Sequence, residues 1–338
     1  MSWLADSFVP KANQLFSRPF IAAFSSTMQK IIPFILTGSV IYFYNVIKSF
    51  VPVLPDLSPI LTYSFGIITV IVAFMMGNQL MEKLGHPDYV INAALCSVGT
   101  LLMVAMPLGE NVDSISSLMG NLGAAGIAVG LIVGLYVGTI FHLWGKLHFL
   151  QDSSCPDFVT AWVNTIVPNL ITLGIAMVLV NVLKLDVYSL VIAAFMPLAN
   201  IGQTLPGFIL ICLIPAFFYT LGISSWTFGA VTTPIFMAGI QANIDAVAAG
   251  GVATNIVTSE SVFTLAFVTM GGMCATLGLN ALMCFSKSKQ LKTLGRVFIV
   301  PSIFNINEPI MYGGKVVMNP VLMIPAWLNS IIGQVYVW

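Results

Sequence analysis

Residues 114–145 read SISSLMGNLGAAGIAVGLIVGLYVGTIFHLWG, without one Asp, Glu, Lys or Arg. A helix needs about 20 mainly apolar residues to cross the hydrocarbon core of a bilayer, and this stretch is long enough. The windows 57–81, 89–109, 158–183, 261–286 and 316–338 also lack all four charged residues, and 187–244 is longer still. Lipid offers no partner to backbone N–H and C=O groups, which leaves helices or closed barrels as spanning structures. Continuous apolar runs, rather than ten-residue alternating strands, decide for helices.

The composition agrees. Of 338 residues, 58% are hydrophobic and 7% are charged, whereas a soluble domain carries about 25% charged residues. Mean hydropathy is +0.98. Twelve basic residues balance twelve acidic ones, which leaves no basic footprint for nucleic acid. Cys96, Cys212, Cys274 and Cys284 sit in or beside apolar runs and Cys155 lies in a polar connection. None has metal-ligand or redox spacing, so neither a metal nor a cofactor is implied.

The apolar runs predict an all-α polytopic membrane protein with about nine spans, near 31–50, 60–80, 89–108, 122–144, 166–185, 188–203, 206–222, 258–284 and 316–338. Residues 1–30 read as an amphipathic segment at the interface, with Trp3, Phe8, Phe16 and Phe24 interspersed with Lys11, Arg18 and Lys30. Residues 31–185 then form an N-terminal membrane domain and 186–338 a C-terminal one. Lys11, Arg18 and Lys30, and the cluster Lys287, Lys289, Lys292 and Arg296, should face the cytoplasm, which puts the N-terminus on that side. The connection Glu110–Asp113 has no basic residue and suits the outside.

Two segments are too broken by Gly and Pro to be simple spans and too apolar to be free loops. One is Leu221–Pro234, LGISSWTFGAVTTP; the other is Pro301–Gly314, PSIFNINEPIMYGG. Paired interruptions of this kind point to a transporter's binding site. Glu308 stands out, an ionisable residue in apolar surroundings. Pro309 should push it out of helical geometry and set a helix break there. With Asn305 and Asn307 it offers both donors and acceptors, which suits a polyhydroxylated ligand better than a metal ion. In the first break, Ser224 and Ser225 can bond sugar hydroxyls. Trp226 can stack on a sugar ring or anchor at the membrane interface. Lys83 and His86 lie in a compact polar connection at 77–86, either a solvated turn or a reach into a cytoplasmic vestibule. His142 and His148 read as interfacial. No P-loop, dinucleotide fingerprint or HExxH occurs, so the chain carries no ATPase engine of its own.

The run PSIFNINEPIMYGGKVVMNPVLMIP at 301–325 closely resembles the signature of enzyme IIC. This is the membrane subunit of the bacterial phosphoenolpyruvate-dependent sugar phosphotransferase system, and the likeness is to its lactose/cellobiose (chitobiose) family. IIPFILTGSV at 31–40 resembles the family's first span, with Pro33, Gly38 and Ser39 in place. The resemblance implies a homodimer in the bacterial inner membrane, with an N-terminal interface domain. It also implies an elevator-type C-terminal transport domain holding two re-entrant hairpins. A sugar, often a disaccharide, would be delivered to the cytoplasmic face, where a phosphocysteine on a partner IIB subunit phosphorylates it. The phosphoryl donor would thus lie on the partner rather than on this chain. Glu308 would bind the sugar and accept the hydroxyl proton, with Asn305 and Asn307 beside it. The family often has Gly-Ile-His-Gly in the first hairpin; here Ser224 takes the histidine's place in Gly222-Ile223-Ser224-Ser225. It also continues past Trp338, so the resemblance implies a C-terminally truncated chain. A second reading is an ion-coupled or facilitative sugar transporter using the same broken-helix site without phosphorylation. A third is a membrane component that does not transport.

Overall fold

A computed structural model describes residues 4–51, 53–106, 121–147, 149, 156–223, 225–264, 268–303, 305–314 and 316–338. Among these the regular structure is helical throughout. In chain order the helices are α1 (Val9–Phe16), α2 (Pro19–Phe50), α3 (Ser58–Ser64), α4 (Ile68–Lys83), α5 (Val90–Ala105), α6 (Ile127–Gly145) and α7 (Asp157–Met177). There follow α8 (Val187–Gly202), α9 (Leu205–Thr220), α10 (Gly229–Ala248), α11 (Leu277–Cys284), α12 (Lys289–Ile303) and α13 (Pro320–Val337). Among the described residues 5 helical stretches are long and apolar enough to cross a membrane, or 6 if the pair α8 and α9 acts as one span. The chain packs as two compact units, Arg18–Pro197, and Met1–Ser17 with Leu198–Trp338.

Two boundaries differ from the sequence reading for physical reasons. The break near the N-terminus falls at Ser17, where the helix α1 ends, and Pro19–Phe50 then runs as one helix. Proline at a first helical position loses no hydrogen bond, because that N–H has no intrahelical partner in any case. The run 258–284 is not one helix. Among its described residues only Leu277–Cys284 and a wide helical turn at Glu260–Thr264 are regular, and Gly271, Gly272, Cys274 and Ala275 all have positive φ. Hydropathy registers the apolar character of this run but not its left-handed backbone.

In the unit Arg18–Pro197, α4 and α6 pack more extensively than any other pair of elements. Gly126, Gly130, Gly134 and Gly138 recur every fourth residue and so share one face. A Cβ at Gly130 would lie 2.8 Å from the Thr69 carbonyl oxygen, one at Gly134 2.9 Å from that of Ala73, and one at Gly138 2.6 Å from Leu80 Cδ2. Helices in lipid gain little from hydrophobic contact with one another, so close backbone approach through small residues supplies the attraction. Val72, Ala73, Met76 and Leu80 are fully buried on the facing helix. Thr69 donates to the Gly123 carbonyl at 2.6 Å.

In the other unit, α9 lies along α13. Its start is capped by Thr204, whose hydroxyl accepts from the Gly207 amide at 3.2 Å. Helix α1 and Phe8 just before it join this unit through aromatic contacts: Phe8 and Phe16 meet Phe218 at 5.9 and 5.3 Å between ring centroids, and Phe16 meets Phe228 at 5.4 Å.

The glycine ladder has a direct test. Gly134→Ala would place its methyl 2.5 Å from Met76 Cβ as well as against the Ala73 carbonyl. We expect the melting temperature in detergent to fall, by the equivalent of about 1–3 kcal/mol for an overpacked contact. Gly174→Ala on α7 is the control, since nothing lies within 4 Å of its added methyl. Equal melting temperatures for the two variants would remove the ladder as the organising contact.

Candidate functional site

The C-terminal unit has three irregular stretches, and the second and third are bonded to each other. The first follows α9, where Gly222 turns the chain at φ +90 and Ile223 donates back to the Phe218 carbonyl at 3.0 Å. Residues Ser225–Phe228 form a tight helical turn before α10. The second is the loop Thr269–Thr276. The third runs from Asn305 to Gly313, after α12. Helix α11 holds α12 by an Asn280 amide donating to the Ser302 hydroxyl at 3.0 Å.

The break in the third stretch sits at Asn305, not at Glu308. Asn305 takes a left-handed φ of +60, whereas Glu308 is helical at φ −50 and ψ −43. The reason is local. The Met311 amide donates to the Asn307 carbonyl at 2.9 Å, so a helical turn has already begun when the chain reaches Glu308. That bond outweighs the usual bias of a residue before proline.

Both asparagines are engaged by the protein. Asn305 Oδ1 accepts from the Gly271 and Gly272 amides at 2.8 and 3.2 Å. Asn307 is buried; its Nδ2 donates to the Met273 carbonyl at 2.6 Å and to the Thr276 hydroxyl at 3.0 Å. Its Oδ1 accepts from the Tyr219 hydroxyl at 3.1 Å. Thr276 in turn donates to the Gly271 carbonyl at 2.8 Å, closing the loop on itself. Glu308 is half-buried and interacts electrostatically with the hydroxyls of Tyr219 and Tyr312, whose rings meet edge-on at 6.1 Å. The result is a carboxylate beside two phenols on a backbone pinned by carboxamides. It can accept hydrogen bonds from hydroxyls and take up a proton.

The other candidates lie as follows. Ser225 opens the tight turn, while Ser224 and the side chain of Trp226 lie outside the described residues. Thr232, Thr233 and Pro234 fall within α10. Lys83 is exposed at the end of α4 in the other unit, next to Glu82, which pairs with Lys30 at 3.4 Å. In that unit His86 and His142 are bonded to each other at 2.8 Å between Nε2 and Nδ1. His148 and Lys315 lie outside the described residues. Lys287, Lys289, Lys292 and Arg296 are exposed, the last three on α12. A cleft of about 410 Å³ between α9 and α13 is walled by apolar side chains, including Leu213, Phe217 and Leu328. It suits acyl chains rather than a sugar.

Sequence reading missed Tyr219 and the Gly271–Thr276 loop. Tyr219 stands in an apolar run, where an aromatic reads as core. The loop did carry a signal, the Gly271-Gly272 pair, since adjacent glycines mark turns.

Gly272 has no room for a side chain. Its φ is +103, and an added Cβ would overlap the carboxamide of Asn307. Gly250 has φ +81 with nothing within 4 Å, so Gly250→Ala measures backbone strain alone. Gly272→Ala should lower the melting temperature beyond that control, by the equivalent of roughly 1–3 kcal/mol of overpacking. Equal effects would mean that the loop and Asn307 are not in contact.

The chain is 29% identical over 284 residues to the oligo-beta-mannoside-specific EIIC component of the phosphotransferase system from Bacillus subtilis (strain 168), covering 78% of this chain and 62% of that protein. It is 26% identical over 283 residues to the lactose-specific EIICB component of Staphylococcus haemolyticus (strain JCSC1435), covering 78% of this chain and 47% of that one. The chain thus spans less than two thirds of the length of these curated relatives. The crystal structure of the transporter ChbC, the IIC component from the N,N'-diacetylchitobiose-specific phosphotransferase system, superposes with a TM-score of 0.79 at 22% identity. That match covers 99% of this chain and 83% of ChbC, and shows a shared fold. The family model described as "Phosphotransferase system, EIIC" matches residues 25–330, and the chain belongs to that family.

Proposed function

We propose that the chain is the sugar-translocating IIC subunit of a phosphotransferase system. Its substrate would be a disaccharide of the cellobiose, chitobiose or lactose type, phosphorylated at the cytoplasmic face by a IIB partner. One observation carries the reading: within the family match, Asn305 and Asn307 pin a broken helix on which the half-buried carboxylate of Glu308 stands within electrostatic reach of two tyrosine hydroxyls. The relatives' names support the sugar class, with one specific for oligo-beta-mannosides and one for lactose. That the latter is an EIICB component supports a IIB partner.

In the proposed reaction a sugar hydroxyl attacks the phosphorus of the partner's phosphocysteine. The new O–P bond forms as the S–P bond breaks, the thiolate leaves, and Glu308 takes the hydroxyl proton. Asn305 and Asn307 hold the backbone that presents Glu308. Ser224, Ser225 and Trp226 contribute from the first break, and Lys83 is a further candidate for sugar binding. The wider architecture in this reading is a homodimer of about nine spans and two re-entrant hairpins. Residues 31–185 form the interface domain, and 186–338 move as an elevator. The N-terminus faces the cytoplasm.

Glu308→Gln tests the site. The amide cannot accept the proton, so formation of sugar phosphate should fall by about 10²–10⁴, the usual worth of a general base. Binding of labelled cellobiose, chitobiose or lactose should weaken as well, because a bond to a charged acceptor is lost. Uptake is compared in cells with and without a functional phosphorelay. Sugar phosphate inside only the relay-competent cells fits group translocation. Free sugar at equal levels in both would overturn the reading.

The exposed cations on and before α12 are the proposed contact for the IIB subunit. Neutralising Lys289 and Lys292 together should slow phosphotransfer several-fold and flatten its salt dependence, with sugar binding intact. Labelling an engineered cysteine near Lys289 with an impermeant reagent in intact cells checks the side. Reaction from outside would overturn both orientation and docking.

A further inference from the structure

The geometry points to Tyr219 as a positioning residue for Glu308, acting through Asn307. This rests on the function proposed above. Tyr219 sits in the last turn of α9 and is 1% exposed, so its hydroxyl depends on a protein partner. That partner is Asn307 Oδ1 at 3.1 Å. The carboxamide has no freedom to turn over. The Met273 carbonyl, 2.6 Å away, can only accept, so it must face the Asn307 amino group, and Oδ1 must face Tyr219. The Asn307 carbonyl meanwhile receives the Met311 amide and opens the turn on which Glu308 stands.

Tyr219 therefore fixes the residue immediately before Glu308 from one side, while the Met273–Thr276 loop fixes it from the other. Its hydroxyl also lies within the electrostatic reach of the Glu308 carboxylate. Without it, a buried carbonyl oxygen would lose its donor, and a buried group left unpaired drives local rearrangement. The group displaced by that rearrangement is Asn307, and with it Glu308. Tyr219 touches neither the phosphoryl group nor the attacking hydroxyl in this scheme. It sets where the proton acceptor stands.

The test is Tyr219→Phe, which removes one oxygen and keeps the ring. Membranes bearing the protein are given phosphorylated IIB subunit and labelled cellobiose, chitobiose or lactose. For the sugar that the parent phosphorylates, kcat should fall 5- to 50-fold while the sugar dissociation constant changes less than 3-fold. A role through Glu308 also predicts non-additivity: in a Glu308→Gln background, Tyr219→Phe should cause no further loss. A merely structural role would lower kcat equally in both backgrounds. p-Aminophenylalanine at position 219 keeps the ring and an N–H donor, and should restore most of kcat. It also covers the case in which Tyr219→Phe folds poorly. A parent-like kcat for Tyr219→Phe, equal losses in both backgrounds, or no rescue by the amino analogue would each overturn the assignment while leaving the proposed function standing. If the parent forms no sugar phosphate, the function falls and the role of Tyr219 with it.

Discussion

Main-chain amides that leave a helix inside a membrane have no water to turn to, and the C-terminal unit of this protein is organised around that constraint. An unsatisfied backbone group in hydrocarbon costs several kcal/mol. The Gly271 amide and the Met273 carbonyl have left the helical ladder, and both are met by carboxamides, those of Asn305 and Asn307; the Gly272 amide, bonded to the Thr269 carbonyl at 2.8 Å, shares the Asn305 oxygen as well. A carboxamide carries the same donor and acceptor pair as a peptide unit, so it can replace a missing backbone partner atom for atom. The third polar partner, Tyr219, completes Asn307. Glu308 then inherits a fixed position from groups that are themselves fixed.

The same device recurs where the chain is irregular before Glu260. Gln203 donates to the Val257 carbonyl at 2.8 Å and accepts from the Val257 amide at 3.3 Å, in the manner of a neighbouring strand. Asn243 Oδ1 accepts from the Thr254 and Asn255 amides at 3.1 and 2.8 Å, and its Nδ2 donates to the Asn255 carbonyl at 2.9 Å. Four carboxamides thus hold two non-helical stretches of one unit. The unit Arg18–Pro197 has a different economy: α4 and α6 keep their ladders intact and gain attraction from backbone proximity along the glycine face. One half is built for close helix contact, the other for tolerated irregularity.

This division explains what the sequence could disclose. Apolar runs without charge delimit α5 and α6 to within about five residues, because length and hydropathy are what a spanning helix requires; they also place α8 and α9, but these have 16 residues each and are long enough to cross only as one bent pair, not as two spans. They misjudge 258–284, where the residues are apolar but the backbone is left-handed at four positions. The two asparagines and Glu308 were visible as polar residues in an apolar field. Their partners were not, since Met273 and Gly271 contribute only main-chain atoms, which any residue type could supply. Glu308 itself was expected to stand outside helical geometry, on the strength of Pro309 alone. A longer-range bond, Met311 to Asn307, decided otherwise.

The last turn of α9 shows why irregular backbone here need not mean loose structure. Four consecutive residues between them engage α13, the N-terminal segment and the Asn305–Gly313 stretch. Phe217 meets Trp327 of α13 at 5.3 Å, Phe218 meets Phe8 and Phe16 of the N-terminal segment, and Tyr219 bonds Asn307. Thr220 accepts from the Trp327 indole at 2.9 Å through its hydroxyl and from the Met318 amide at 2.9 Å through its carbonyl. In a helix, successive side chains point about 100° apart, so four in a row reach every side of the axis. Displacing any one of these partners shifts the turn that the other three share. The first break begins directly after it, at Leu221. Both interrupted segments therefore take their bearings from a single turn of regular helix, a rigid element placed where the backbone is about to leave the ladder.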